Sequence, residues 1–337
     1  MERRPFLVLL TTAFAGCGAT NQSTPAPTDA PTDTPTESTP TATEPTETAT
    51  DTPTETATDT PSPEMREAQQ RLSAVTSTLD AAVEQYVGDA GETILAADAS
   101  YLSFDGDEVV AAVEEAEREL ERAREAVVTE DQEETLASLE AMTRFLRLAT
   151  ETQASLVDAY YHLRETREAL ASADDGAAED AMAEMDAASR IASSPYQSLV
   201  EETDVSATGV LSGVDTERYR RKLTQFDAEI RAFGDLRAPL DTFATAVGRL
   251  RTARALELNG STDQARQTAR DAVRRLDEAA AAFATFTADL EEPADSLAEI
   301  GESLEDLATE MVTETRDQFG IEDEETTTAT ATTTTAA

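Results

Sequence analysis

The chain predicts an all-α protein, an elongated antiparallel helical bundle with an α-solenoid of stacked helix pairs as the alternative, flanked by disordered threonine-rich segments. Three observations carry this. Across residues 64–320 apolar residues recur at alternating steps of three and four, the period of one helix face. Alternating strand patterns are nearly absent there. Between Gly106 and Gly176 no glycine or proline interrupts the chain.

The first element is a helix opened by Ser62 as N-cap with Pro63 at its first position, running through Met65, Ala68, Leu72, Val75, Leu79, Ala82 and Tyr86 and ending near Gly88. The second follows Gly106 through Val109, Val113, Ala116, Leu120, Ala123 and Val127 in strict heptads. The apolar seam then resumes out of register at Leu139, Met142, Leu146 and Ala149, so the chain must break near Thr129. Thr129 with Gln132 fits a capping box there. This third helix continues through Leu156, Tyr160, Leu163 and Leu170 to Asp174-Asp175-Gly176, more than 40 residues from its start.

A shorter helix carries Ala181, Met182, Met185, Ala188 and Ala192, and Ser193-Ser194-Pro195 is expected to stop it. Residues 195–214 read as irregular, and 195–213 is the best segment for a functional loop. The pattern returns at Tyr219, Leu223, Phe226, Ile230 and Phe233, and after an expected kink over 234–239 continues at Leu236, Leu240, Phe243, Val247 and Leu250. Ser261 and Gln264 fit the cap of the next run, Ala265, Ala269, Ala272, Leu276, Ala279, Phe283, Phe286 and Leu290. Past Pro293 the last run is Leu297, Ile300, Leu304, Leu307 and Met311. A 3.5-residue repeat favours neighbours packed at roughly 20°.

Outside the helical segment, composition changes. Residues 18–63 hold nine of the thirteen prolines, no Lys or Arg, and eight carboxylates among threonines. Such a stretch cannot bury enough apolar surface to fold, and the octad at 45–52 is repeated at 53–60 as in spacer sequences. Residues 17–63 therefore read as a stalk, 64–320 as the helical domain and 321–337 as a disordered Thr/Ala tail.

Acidic residues number 69 against 26 basic, a net charge of −43 in 337 residues, and Lys222 is the single lysine. Such a charge repels itself in dilute buffer. At 1 M salt the Debye length falls to about 3 Å and the repulsion fades. Low lysine with abundant Asp, Glu, Thr and Ala resembles the proteins of salt-in halophilic archaea. Nucleic acid is excluded as a partner, because affinity for phosphate backbones comes from Lys and Arg neutralising them.

The amino-terminal residues read as an address. Arg3 and Arg4 precede an apolar run from Phe6 to Ala15, ten residues and about half of the ~20 that span a bilayer core. Arg3-Arg4-Pro5-Phe6-Leu7 resembles the twin-arginine export motif, with every fixed position filled by Arg3, Arg4, Phe6 and Leu7. Ala15-Gly16-Cys17 is similar to the lipobox of lipoprotein precursors, with Phe14 in place of the usual aliphatic residue. That resemblance implies removal of residues 1–16, covalent lipid on Cys17, and a place on the extracellular face of the cell membrane. Two lipid chains on one residue hold stably where a single chain holds only marginally. The only two asparagines, Asn21 and Asn259, both begin an N-x-S sequon, so both are glycosylation acceptors by pattern, although Asn259-Gly260 also suits a turn.

The chemistry-bearing residues are few. His162 is the only histidine and Cys17 the only cysteine, which removes two-histidine metal motifs and leaves any Ser-His-Asp site to be built around His162. His162 with Glu165 is similar to the H-x-x-E portion of the imelysin family, helical and often lipid-anchored proteins linked to metal acquisition, with Tyr160 where that family has glycine. The resemblance makes His162 and Glu165 the candidate metal ligands. Read from the residues alone, they form an i,i+3 surface pair. Tyr160, Tyr161, Tyr196 and Tyr219 either line an aromatic pocket or fill core, with Tyr160 and Tyr219 on the seams. No catalytic residues or cofactor beyond the lipid are expected. The sequence points to a non-enzymatic lipoprotein presenting a binding or scaffolding domain to a protein or small ligand at the cell surface, with a ligand- or metal-capturing receptor as the alternative.

Overall fold

The computed structural model describes residues 61–322. Seven α-helices occur among them: α1 (Pro63–Val87), α2 (Gly106–Arg124), α3 (Glu130–Ala171), α4 (Asp175–Glu202), α5 (Thr216–Leu258), α6 (Thr262–Asp289) and α7 (Ala298–Phe319). Short 3₁₀ turns at Val205–Ala207 and Glu292–Leu297 precede α5 and α7. No strand occurs among the described residues.

Local chemistry accounts for most helix starts. Five helices are capped by a side-chain oxygen that accepts an otherwise unpartnered first-turn amide. Ser62 accepts from Met65 N at 3.2 Å, Asp105 from Glu108 N at 3.1 Å, and Thr129 from Gln132 N at 3.4 Å. Asp174 accepts from Ala177 N at 3.1 Å and Asp215 from Arg218 N at 2.8 Å. The expected capping box at Thr129 is shifted, since the Gln132 carbonyl oxygen accepts from Val128 N at 3.2 Å while its amide donates to Met65 O on α1. Ser261 occupies the N-cap position of α6 but makes no side-chain cap bond. Asp174-Asp175-Gly176 does not end α3. Ala173 turns the chain with φ 55°, and Asp174 already caps α4.

Proline ends neither helix, which overturns the stop expected at Pro195. Helix α4 runs through Pro195 to Glu202, so the irregular connection is confined to 203–215, and α5 is continuous for 43 residues through Gly234 and Pro239. A proline inside a helix removes the amide that would bond the carbonyl four residues earlier. Those carbonyls belong to Ile191 and Asp235, two exposed residues on the solvent side of their helices. Buried Ala192 and Leu199 on α4, and Leu236, Leu240 and Phe243 on α5, hold each helix against its neighbours on both sides of the proline. Pro195→Ala is expected to raise stability by about 1 to 2 kcal/mol by restoring the Ile191 bond and a better helix former, measured by denaturant unfolding.

Helices α3 and α4 are joined by residues 172–174, and α5 and α6 by 259–261, so each pair folds back as an antiparallel hairpin. Helix α3 meets α1, α2, α4, α5 and α7. A solenoid would confine each unit to its chain neighbours, so the architecture is the bundle. At 42 residues and 1.5 Å per residue α3 is about 63 Å long, the common wall of the core. Leu72, Leu139, Phe145, Phe226, Phe233, Phe243 and Phe283 are wholly buried in that core. Small residues bring helices close. A β-carbon on Gly301 of α7 would lie 2.7 Å from Thr287 Oγ1 of α6, which is why glycine stands there.

Candidate functional site

The most unusual chemistry in the described residues lies beneath the connection between α1 and α2, residues 88–105. This segment has no regular structure yet is pressed into the bundle, with Ile94, Ala97 and Ala99 buried. A buried loop must find partners for its peptide groups. Here they come from side chains on α3 and α5. Lys222 Nζ donates to Ala97 O, Gln153 Nε2 donates to Asp98 O at 2.7 Å, and Ala99 N donates to Glu229 Oε1 at 3.2 Å. Three consecutive residues of the loop are thus fastened by three side chains.

Helix α5 supplies Lys222, Gln225, Phe226 and Glu229 at positions i, i+3, i+4 and i+7, a spacing that puts them on one face. Lys222 and Glu229 are both fully buried. They meet through Gln225, whose Oε1 accepts from Lys222 at 3.3 Å and whose Nε2 donates to Glu229 Oε1 at 3.2 Å. Gln153 Oε1 accepts from Lys222 at 2.8 Å and from the Tyr86 hydroxyl at 3.3 Å. The ammonium lies 4.5 Å from the ring centre of Phe226 and 5.5 Å from that of Tyr86, within cation–π range. Glu229 Oε2 is buried without a protein partner.

Burial sets the electrostatics. Loss of water pulls the Lys222 ammonium down to about 8, against the opposing pull of the Glu229 and Asp98 charges. The same loss pushes the Glu229 carboxyl up to about 7, opposed by Lys222 and by the Ala99 amide. The Tyr86 hydroxyl is raised well above its usual range, first by burial and then by the Glu229 charge. A compact ammonium on a slender stem fits this space, whereas a guanidinium needs a wider planar slot and five partners. That gives a physical reason for the single lysine in an arginine-rich chain.

The pattern in α5 misled the seam reading. Leu223 and Ile230 are only half-buried, and the inward face is rotated to include Lys222, Gln225 and Glu229 beside Phe226 and Phe233. The lone lysine was visible as a count. Its Gln and Glu partners at i+3 and i+7 share its helix face, but only the contacts to α3 and to residues 88–105 place that face in the interior.

His162 and Glu165 lie elsewhere, on α3, with Nδ1 2.9 Å from Glu165 Oε2. The Glu165 carboxyl is held below its usual range by the Tyr161 hydroxyl and then by His162. Both residues line a shallow groove with Glu168, Asp174, Asp180 and Glu184. Among the described residues no group of three His, Cys, Asp or Glu is close enough to hold a metal ion. Tyr160 and Tyr219 are buried in core, Tyr219 against Phe145 with ring centres 4.9 Å apart, while Tyr161 is exposed and Tyr196 half-buried. Asn259 is exposed on the α5–α6 turn. Arg3, Arg4, Phe6, Leu7, Cys17 and Asn21 lie outside the described residues.

A cleft of about 300 Å³ between α5, α6 and the turn before α7 has an apolar floor of Ala228, Ala232, Pro239, Phe286 and Ala294. The surface is laced with arginine–carboxylate pairs, among them Arg147 to Glu117 at 2.7 Å and Arg124 to both Glu121 and Glu140 at 2.6 Å. No helix among the described residues is long and apolar enough to cross a membrane. No protein-family model, curated protein or solved structure matches the chain.

Proposed function

We propose that this chain is a lipid-anchored protein on the outer face of a salt-adapted archaeal cell, presenting a helical binding or scaffolding domain at the end of a Thr/Pro stalk. The observation that carries this reading is the placement of the only cysteine, Cys17, directly after a twin-arginine leader pattern and directly before a proline-rich segment without Lys or Arg. The bundle supports it in a second way. Its buried ionisable groups, Lys222 and Glu229, are bonded to the chain's own backbone rather than lining an open cleft. The outer helix faces then do the recognising.

Cys17→Ser tests the anchor. The substituted protein is expected to move from the membrane fraction to the medium, or to accumulate uncut. Processed Cys17→Ser protein that stays with the membrane overturns the reading.

A further inference from the structure

We propose that residues 88–105 form a hinged strap that opens as a unit within the folded bundle and, on opening, presents Lys222 as a solvent-accessible primary amine. Four observations carry this beyond the static fold.

The strap holds itself together. Tyr101 Oη donates to Asp89 Oδ1 at 2.6 Å and accepts from Asp89 N at 3.1 Å, while Asp98 Oδ1 accepts from both the amide and the hydroxyl of Ser100. These internal bonds make the segment a compact loop of the kind that moves as a body. Its ends are set for a hinge. Gly88 sits at φ 53°, a left-handed backbone conformation that a β-carbon resists, and its close contact with Tyr101 Oη leaves no space for one. At the other end Gly106 begins α2.

The strap is held to the bundle by apolar and polar contacts together. Ile94, Ala97 and Ala99 are wholly buried, and Tyr101 and Phe104 pack against the core, Phe104 edge-on to Tyr86 with ring centres 5.2 Å apart. The polar fastening comes from Lys222, Gln153 and Glu229. Two of these three are fully buried ionisable groups, with the strap backbone bonded directly to both. Glu229 Oε2 has no protein partner in that closed state. Opening hydrates both charges and the orphaned oxygen, which offsets part of the contact energy lost. A short unit without helical hydrogen bonds, whose opening restores hydration to two charges, opens at lower free energy than the helices around it.

The concealed group has defined chemistry. An amine freed of its proton is a nucleophile toward carbonyl and acyl electrophiles. With an N-hydroxysuccinimidyl ester the Nζ–carbonyl bond forms, the ester C–O bond breaks, the N-oxysuccinimide anion departs and the amine proton passes to water. Because Lys222 is the chain's only lysine, the label reports one side chain, and the α-amino group is separated from it by peptide mapping.

The experiment treats the folded protein in high salt with N-hydroxysuccinimidyl acetate and follows Lys222 acetylation by mass spectrometry. Hydrogen exchange of Ala99 and of the α3 core, for example Leu146, is followed in parallel. Lys222 labelling and Ala99 exchange are expected to share one opening equilibrium at least about ten-fold more populated than the opening that exposes Leu146. Tyr101→Phe, which loses the bond to Asp89, is expected to raise both strap readouts several-fold and leave Leu146 unchanged. Labelling and Ala99 exchange that proceed only with the global opening, in both proteins, overturn the strap. Labelling of the parent as fast as a free lysine overturns the closed state itself.

Discussion

Lys222→Met is expected to destabilise the bundle by about 3–5 kcal/mol, because it leaves the Glu229 carboxylate buried without its counter-charge and strips the Ala97 carbonyl of its donor. Glu229→Leu alone is expected to cost a similar amount, by stranding the ammonium and the Ala99 amide. The double variant Lys222→Met/Glu229→Leu separates charge from packing. Two apolar side chains of similar volume remove both desolvation penalties at once, so the double variant is expected to be more stable than either single one. Chemical unfolding of the four proteins in one high-salt buffer gives the coupling energy. Additive losses would mean that the two charges act independently, contrary to the network through Gln225.

The same cycle carries a pH signature. Glu229 is raised in the fold from 4.5 to about 7, so its contribution is fully present below the ordinary carboxylate value and lost as pH rises to about 7. Lys222 is lowered from 10.5 to about 8, so its contribution is present above the ordinary lysine value and lost as pH falls to about 8. The pair is therefore least favourable near neutrality, where both groups are charged out of water. The difference in stability between the parent and the double variant is expected to be most unfavourable to the parent between about pH 7 and 8, and to recover on either side. A difference independent of pH would show that the two groups keep their ordinary proton affinities.

Dilution from multimolar salt to about 0.1 M is expected to unfold much of the bundle. At that ionic strength charges interact across about 10 Å, and a chain carrying −43 repels itself throughout its surface. Arginine–carboxylate pairs such as Arg147–Glu117 relieve this locally, but acidic residues outnumber basic ones by 43. The helical circular dichroism signal should fall on dilution and return when salt is restored. Full helicity at 0.1 M would assign the acid excess to something other than salt adaptation.

Much of the fold was legible from local patterns. Ser62, Pro63 and Gly88 bracket α1 as their chemistry requires, and the heptads of Val109, Val113, Ala116, Leu120 and Ala123 are all buried in α2. The break at Thr129 was legible because the seam changes register there. Pro195 was misread because a proline's effect depends on whether water can take the carbonyl it frees and whether neighbours hold the helix on both sides. The site was half legible. Lys222 stood out by rarity, but its place in the interior followed from partners on other elements.

The sequence by itself determined a chain of helices, most of their caps and a strongly acidic composition, since each rests on residues a few positions apart or on composition; the amino-terminal resemblance to an export and lipidation signal is the ground of the proposal made above. Only the tertiary structure decided which side of α5 faces inward, that two prolines stay within helices, and that residues 88–105 lie fastened over a buried charge pair. The physical reason is sequence distance. Lys222 reaches Ala97 across 125 residues and Gln153 across 69, and no local period records which groups will share an interior once the helices pack.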